Sequence, residues 1–283
     1  MKKRWIYGKT VLITGGASGI GAGISKTLIE KYDCNVISVI INKNGFDEFI
    51  DSLGDKKDKF SYLMYDASLY ESWVEIKKYL EDNRIQADVL INNAGIFPHF
   101  DRYEHYTKEQ LETCVNVDFY APAYAIMVMY DHIIKSETPA FITVSSSAAL
   151  CPLPGTSLYT ASKSASKSVT ECFGFEHPEL YVGYVCPGFT KTNLFVNQSE
   201  DMSKNKLISS FMSDRDKMVK KIVRGIVKKK RRMVYGTDAW FMRVMYKFFP
   251  KSSPRFIGWV MKKSKQKIFD DIFAPDDKQQ ESK

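Results

Sequence analysis

Tyr159 and Lys163 stand four residues apart in the stretch YTASK, and this pair could move a proton. A free tyrosine ionises at about pH 10, so a pKa of about 7 needs roughly 4 kcal/mol of preference for the phenolate. In a helix both side chains would lie on one face, and an ammonium at about 4 Å supplies energy of that order. The pair therefore predicts a tyrosine that exchanges a proton at neutral pH. The alternative is an ordinary helix surface, and the other motifs must decide between the two.

A glycine-rich segment follows the first apolar run, where VLIT leads directly into GGASGIG at residues 15–21. Glycines at this spacing permit a tight turn and a close approach of the backbone to a pyrophosphate. A helix that begins near Gly19 would add its free amide groups as donors. An ordinary glycine loop is the alternative, but the strand, turn and helix order favours a dinucleotide site.

The elements that would position these residues alternate along the chain. Short apolar segments from KTVLITG to RRMVYG alternate with helical patterns at about 19–31, 108–135, 157–175 and 214–228. Thr107 and Gln110 have the spacing of a capping box at the start of the second helix. This order predicts an α/β fold, namely a Rossmann-like, doubly wound parallel sheet with helices on both faces.

The alternation stops after Gly236, which divides the chain into a domain over 1–236 and an extension over 237–283. The extension contains two predicted short helices, one capped by Thr237 and one that starts at Ser253, followed by a predicted disordered tail. Aromatic residues and Met dominate the first of them, and Arg243 and Lys247 form a narrow basic stripe. The apolar residues of its broad face are Trp240, Phe241, Val244, Met245, Phe248 and Phe249.

Composition limits the other classes of function. The five Cys form no CxxC pair and the four His have no metal-ligand spacing, so we expect a reducing compartment, no disulfide framework and no metal site. We also expect a cytoplasmic protein with no signal peptide and no transmembrane span, because no apolar stretch reaches about 18 residues. The net charge is +8, of which residues 215–267 carry +16 and the remainder −8.

Taken together, the motifs resemble those of the short-chain dehydrogenase/reductase family. In the family's order and approximate spacing, the sequence contains TGGASGIG (14–21), NNAG (92–95), Asn116, Ser146 thirteen residues before Tyr159, YTASK and PGFTKT (187–192). The resemblance covers about residues 8–236. It implies an NAD(P)(H)-dependent oxidoreductase that interconverts a ketone and a secondary alcohol.

The resemblance implies a catalytic tetrad of Asn116, Ser146, Tyr159 and Lys163. Tyr159 would be the general acid in reduction and the base in oxidation, and Ser146 would hydrogen-bond the reacting oxygen. Lys163 would lower the pKa of the tyrosine and hold the nicotinamide ribose, and Asn116 would anchor a water of the proton relay. Ser145 is the alternative to Ser146 if the loop is bulged.

The resemblance implies cofactor contacts in several segments. The expected contacts are Gly15, Ser18, Gly19, Ile20, Gly21, Asn42, Lys43, Asp66, Ala67, Asn93, Ala94, Gly95, Tyr159, Lys163, Pro187, Gly188, Thr190 and Thr192. The second strand ends in Ile40 and Ile41 where an NAD-selective acid would stand, followed by Lys43, which predicts NADP(H) as the preferred cofactor and NAD(H) as the alternative.

The predictions of the substrate and of the oligomeric partners depend on apolar segments. The loop IFPHFDRY, the flap over residues 193–212 and Leu150, Cys151 and Leu153 predict a lipophilic carbonyl or alcohol of steroid, retinoid or fatty acyl type. Non-redox chemistry on the same fold and a cofactor-sensing binding protein are the alternatives. Helices 108–135 and 157–175 correspond to a subunit contact of the family, which implies a homodimer or homotetramer.

The extension has two interpretations. Its helices could cover the substrate pocket or a subunit contact, or they could anchor residues 237–267 at an anionic membrane surface, with aromatic side chains in the headgroup boundary and basic ones facing the lipid. A nucleic-acid surface is the least favoured interpretation of the same basic segment.

Overall fold

The computed structural model describes residues 4–192, 194 and 212–273, and this part is built on one parallel sheet. The strands are β1 (Thr10–Thr14), β2 (Asn35–Ile40), β3 (Phe60–Met64), β4 (Val89–Asn92), β5 (Ala140–Val144), β6 (Tyr181–Pro187) and β7 (Arg232–Tyr235). The α-helices of the described ranges are α1 (Gly19–Tyr32), α2 (Phe46–Asp51), α3 (Tyr70–Asp82), α4 (Lys108–Val115), α5 (Ala121–Ile133), α6 (Ser157–Glu176), α7 (Arg215–Val227), α8 (Thr237–Phe248), α9 (Ser253–Lys263) and α10 (Asp270–Phe273). The sheet order is β3-β2-β1-β4-β5-β6-β7, so the chain order reverses between β1 and β4, where α/β proteins bind ligands.

The side chains of β1 alternate between two hydrophobic clusters. Val11 and Ile13 join α1 and α7 on one face of the sheet, whereas Leu12 joins α3 and α5 on the other. All three side chains are fully buried, which explains why a central parallel strand has a continuous apolar sequence. The predicted α/β class with a Rossmann-like, doubly wound parallel sheet is confirmed.

The helix predicted over 108–135 is divided in the structure. α4 is followed by a π-helical turn, Asn116–Tyr120, and then by α5. The predicted capping box between Thr107 and Gln110 is present at the start. A π turn adds one residue to a helical turn and is frequent at functional sites. Here it brings the side chain of Asp118 into a fully buried position.

Two helices between the early strands were missed by the sequence analysis. α2 has six residues, which is too short to show a period. α3 buries Trp73, Ile76 and Leu80 at intervals of three and four residues. That spacing is a readable helix signal, so α3 could have been predicted.

The extension forms the two predicted helices, but their N-caps differ from the prediction. α8 is preceded by Gly236 and α9 by Ser252, and neither residue makes a side-chain capping bond. Thr237 and Ser253 are instead the first helical residues. The helices are therefore held by packing rather than by their caps, and Met242 of α8 packs into one cluster with Cys151.

Part of the predicted organisation lies outside the described residues. This applies to the substrate flap over 193–212, apart from Leu194 and Met212, and to residues 274–283 at the end of the extension, where a disordered tail is predicted. Within the described ranges, every helix is too short or too polar to cross a lipid bilayer. The same ranges contain no group of three or more His, Cys, Asp or Glu side chains placed to hold a metal ion.

Candidate active site

A cavity of about 570 Å³ opens at the carboxyl ends of the strands. Most of the predicted site residues line it, namely Gly15, Ser18, Gly19, Ile20, Asn42, Asp66, Ala67, Asn93, Ala94, Gly95, Ser146, Tyr159, Lys163, Pro187, Gly188, Thr190 and Thr192. Gly21, Lys43 and Asn116 do not line it. One cleft therefore joins the glycine turn to the tyrosine and lysine pair.

The glycine turn between β1 and α1 fits a pyrophosphate. Gly15 and Gly19 have φ angles of +65° and +51°, which residues with side chains rarely adopt. A methyl group on Gly21 would lie 2.1 Å from the Gly15 carbonyl oxygen, so this glycine permits α1 to pack on the turn. The Asn93 side-chain amide donates to the carbonyl oxygens of Thr14 (3.0 Å) and Gly15 (3.3 Å). The turn is thereby fixed, with the amides at the start of α1 available to phosphate oxygens.

Tyr159 and Lys163 share the buried face of α6, as their spacing predicts. The Lys163 Nζ atom lies 5.8 Å from the centroid of the Tyr159 ring, and Phe97 packs edge-on against that ring at 5.1 Å between centroids. Ser146 follows β5, lines the cavity and lowers the pKa of the phenol. Ser145 instead donates its hydroxyl to the Lys163 carbonyl oxygen at 2.8 Å. The geometry thus favours Ser146 over Ser145 as the residue that meets a substrate oxygen.

The environment of Tyr159 does not lower its pKa as the sequence predicts. Burial raises the pKa of the phenol and outweighs the lowering by the Lys163 ammonium. The Asp118 carboxylate raises the pKa further, whereas the hydrogen bond with Ser146 lowers it. The net pKa lies above the ordinary value of about 10, so Tyr159 holds its proton at neutral pH.

Asp118 is the ionisable group that the sequence analysis missed. Its Oδ1 atom lies 3.2 Å from Lys163 Nζ and also accepts the Ile96 backbone N–H at 3.0 Å. Burial lowers the pKa of Lys163, but the Asp118 carboxylate reverses this and the net pKa is raised. A signal was present, because an acid within the apolar run NVDFYAPAY is buried only when it has a partner.

The side chain of Asn116 does not lie with the other predicted catalytic residues. It is exposed and takes no part in the cavity wall. The π-helical turn brings Asp118, two residues later, to the Lys163 ammonium. The sequence pattern gives no sign of this turn, and the catalytic role of Asn116 stays a prediction.

The far end of the cavity, after β2, is open to solvent. Ile41 is 64% exposed, and Asn42 lines the cavity while accepting the Asn44 backbone N–H at 3.0 Å. The Lys43 ammonium lies 4.8 Å from the centroid of the Tyr62 ring, and a hydrogen bond with Tyr62 raises its pKa. Lys43 is therefore directed at an aromatic ring in this structure and not at the cavity.

The end of the cavity near Tyr159 is apolar. Its wall includes Phe97, Phe100, Leu153, Phe189 and Leu194. Residues of the extension pack behind this wall: Phe269 lies edge-on to Phe100 at 5.1 Å between centroids, and Met242 packs with Leu153. The extension therefore supports the pocket from outside.

One polar contact joins the extension to the segment after β6. The Asp238 Oδ2 atom accepts the Phe189 backbone N–H at 2.7 Å. A methyl group on Gly188 would lie 2.1 Å from Asp238 Oδ1, so the carboxylate fills the space beside this glycine. Burial raises the pKa of Asp238, and the backbone hydrogen bonds oppose that rise.

Comparison with known proteins places this geometry among related chains. The family model described as short chain dehydrogenase matches residues 9–203, which is more than half of the chain. The 3beta-hydroxysteroid dehydrogenase 2 of Eggerthella lenta is 26% identical over 198 residues, which cover 69% of this chain and 76% of the relative. The 11-beta-hydroxysteroid dehydrogenase-like 2 of Arabidopsis thaliana is 27% identical over 228 residues, which cover 78% of this chain and 71% of the relative.

A solved structure agrees in fold. The 3-ketoacyl-(acyl-carrier-protein) reductase of Brucella melitensis, complexed with NADH, matches with a TM-score of 0.71 at 20% identity. The match covers 82% of this chain and 98% of that one. At this identity, the likeness shows a shared fold.

Proposed function

The chain belongs to the short-chain dehydrogenase family, and from this we propose that it interconverts a ketone and a secondary alcohol on a lipophilic substrate with NADP(H). One observation carries the proposal. Ser146, Tyr159 and Lys163 meet at one end of a cavity whose other end is the glycine turn. A nicotinamide dinucleotide bound along this cleft would supply or accept the hydride, and the side chains would handle the proton and the charge on the reacting oxygen.

In the reductive direction, the carbonyl oxygen binds between the Ser146 hydroxyl and the Tyr159 phenol. As hydride adds to the carbonyl carbon, the π electrons of the C=O bond move to the oxygen, which takes the proton of Tyr159. The Lys163 ammonium and the Ser146 hydroxyl stabilise the phenolate that remains, until it regains a proton from solvent. Oxidation reverses these steps, with the phenolate as the base.

The apolar wall beside Tyr159 supports the proposal of a lipophilic substrate. Phe97 and Phe100 are almost fully buried, and each has an aromatic neighbour that fixes its ring. A flat ring system or an acyl chain can displace water from such a wall, whereas a charged substrate would find no partner on it. A steroid, a retinoid or a fatty acyl ketone fits this chemistry.

We propose NADP(H) as the preferred cofactor and NAD(H) as the weaker alternative. The chain after β2 reads Ile41, Asn42, Lys43 and Asn44, without the acid that binds a free ribose 2′-hydroxyl. A 2′-phosphate therefore meets no repelling charge there, and Lys43 could reach it by leaving Tyr62. The ratio of kcat/KM for NADPH over NADH tests this preference, and a ratio below one contradicts it.

We propose that a homodimer or homotetramer forms through α5 and α6. Met127 on α5 is 67% exposed and Phe175 on α6 is 71% exposed. Exposed apolar side chains on adjacent long helices are typical of a self-complementary contact. Light scattering should show an oligomer at micromolar concentration, and replacing Met127 by Glu should dissociate it. A monomer at that concentration contradicts the proposal.

We also propose a peripheral contact between the extension and an anionic bilayer. Trp240 on α8 and Trp259 on α9 are 61% and 58% exposed. Residues 239–269 contain eight Lys and Arg and no Asp or Glu. A second copy of the same surface would bring like charges together, whereas anionic headgroups complement them. Aromatic side chains beside basic ones are the composition of an interfacial helix.

A substrate screen tests the proposed reaction. The purified chain is mixed with NADPH or NADH and with ketones of increasing ring number, and nicotinamide absorbance is followed while chromatography identifies the product. Alcohol formed in equal amount to the cofactor oxidised supports the proposal, provided that the Tyr159→Phe variant forms none. A dehydrated or epimerised product supports non-redox chemistry instead. Tight cofactor binding without turnover of any ketone supports a cofactor-sensing protein.

A further inference from the structure

We propose that Asp118 is the counter-ion of Lys163 and thereby reduces the stabilisation that this lysine gives to a Tyr159 phenolate, which favours carbonyl reduction. The direction of reaction rests on the proposed function above. The electrostatic part of the proposal does not, because it concerns only side chains of this chain.

Lys163 and Asp118 form a contact ion pair beside the phenol. The Lys163 Nζ atom lies 3.2 Å from Asp118 Oδ1, and 5.8 Å separate it from the centroid of the Tyr159 ring. Both members of the ion pair are almost completely buried, so solvent screens their attraction weakly. A lysine whose charge is balanced at contact distance stabilises a nearby phenolate less than a lone ammonium does.

The contacts of Asp118 indicate that its negative charge matters, and not only its hydrogen bonds. The Ile96 backbone N–H is satisfied by Oδ1, and an asparagine oxygen of the same shape could accept it equally well. A buried carboxylate costs more desolvation than an amide, so a purely structural role would favour the amide. Burial raises the pKa of Asp118, and the Lys163 ammonium and the Ile96 backbone N–H oppose that rise. An ionised Asp118 adds a negative charge beside the catalytic lysine.

The other titratable group at this place does not explain the same effect. Cys114, at the end of α4, approaches the Asp118 Oδ2 atom to 3.7 Å. Burial raises the pKa of this thiol to about 12, so it stays neutral where the enzyme would work. Among the described residues, the charged groups that act on Tyr159 are therefore Lys163, on the same helix α6, and Asp118 of the π-helical turn.

The sign of the expected change follows from this arrangement. Asp118 raises the pKa of Tyr159, so replacing its charge by a neutral amide lowers that pKa. The phenol then ionises at lower pH. The rate of alcohol oxidation, which needs the phenolate, then begins to rise at a lower pH than in the unsubstituted protein. The rate of carbonyl reduction, which needs the phenol, begins to decline at a lower pH as well.

Spectroscopic titration of Tyr159 tests the proposal without any substrate. The chain has 16 tyrosines, so the phenolate absorbance of Tyr159 is obtained as the difference between a protein and its Tyr159→Phe counterpart. We expect the pKa of Tyr159 in Asp118→Asn to fall by about one unit or more relative to the unsubstituted protein. The Asp131→Asn variant is the control, because Asp131 is exposed and its ion pair with Lys77 is long, at 4.0 Å.

An unchanged pKa of Tyr159 in Asp118→Asn overturns the proposal. If that variant does not fold, carboxyl-carbon NMR of the unsubstituted protein decides the question: a buried aspartate ionised at neutral pH supports the counter-ion, and a protonated one contradicts it. Where an active substrate is known, the pH profiles of oxidation and of reduction in Asp118→Asn must both shift to lower pH, as the pKa of Tyr159 does. Absence of turnover in the unsubstituted protein would count against the proposed function and leave the titration result intact.

Discussion

The Rossmann-like domain and the C-terminal extension place the same residue types in opposite environments. In the domain, Trp73 is fully buried, and the ammonium of Lys163 is paired with a buried carboxylate. In the extension, Trp240 and Trp259 are largely exposed, and the basic residues of 239–269 have no acid among them in the sequence. The domain uses aromatic bulk and charge internally, whereas the extension presents both to its surroundings.

This difference separates three kinds of effect. Substitutions in the domain should change the proton transfer and the binding of the cofactor. Substitutions on the inner face of the extension should change only the fit of large substrates, and those on its outer face should change only attachment to a surface. A variant that crosses these categories would break the comparison.

The largest effect is expected for Tyr159→Phe, which removes the proton donor and keeps the ring that packs on Phe97. We expect kcat to fall by at least about a hundredfold, because a positioned general acid contributes about that much. Affinity for NADPH should stay within about twofold, since the ring contact is retained. Steady-state kinetics and cofactor fluorescence titration measure the two quantities. A near-normal kcat would falsify the assigned mechanism.

Lys163→Ala should affect turnover, cofactor binding and stability together. It removes the cation that stabilises the phenolate and leaves Asp118 buried without its ion-pair partner. We expect kcat to fall by about a hundredfold and the free energy of unfolding by about 3–5 kcal/mol. Denaturant unfolding gives the second quantity, and the exposed Lys135→Ala is the control. Unchanged cofactor affinity would argue against a ribose contact.

The inner face of the extension is tested by Met242→Ala. Met242 is buried against Leu153, which lines the apolar part of the cavity. We expect KM for multi-ring ketones to rise by about fivefold, as a few lost methylene contacts allow, while KM for small ketones and cofactor affinity stay unchanged. Met245→Ala, on the same helix but only half-buried, is the matched control. Equal effects on small and large ketones would show that the pocket is not supported from this side.

The smallest effect concerns the outer face. The double variant carries both Trp240→Ser and Trp259→Ser. We expect its affinity for anionic vesicles, measured by co-sedimentation, to fall by about fivefold, because two aromatic anchors are lost. Turnover of a water-soluble ketone should not change. The control is Tyr79→Ser, which replaces an exposed aromatic side chain of α3 in the same way. Equal binding of the variant and the unsubstituted chain, or no binding to anionic vesicles at low salt, contradicts a bilayer contact.

The sequence predicts the domain well because its signals are local. The glycine turn, the β-forming runs and the four-residue spacing of Tyr159 and Lys163 each depend on neighbours in the chain. Asp118 was missed because its role depends on a π-helical turn and on a partner 45 residues later in the printed sequence. The pKa of Tyr159 was misjudged for the same reason, since burial and Asp118 both act through space.

The extension was predicted as helices but not oriented. Its sequence is apolar around much of α8, so the periodicity does not decide which side packs inward. The sequence predicts a broad apolar face that runs from Trp240 to Phe249. In the structure, Ala239 and Met242 are buried while Trp240, Phe241, Phe248 and Phe249 are exposed. The contact with the domain selects the inward side, and no local pattern contains that information.

The contact between Asp238 and Gly188 constrains how this protein can be rebuilt. The carboxylate from the extension occupies the space that any side chain at position 188 would need. Transplanting residues 237–273 onto another family member would therefore require glycine at the corresponding place in the recipient. Conversely, a chain that ends at Gly236 lacks Asp238 and would have room for an alanine at position 188. The extension and the segment after β6 are exchangeable only as a matched pair, even though they are 50 residues apart in the printed sequence.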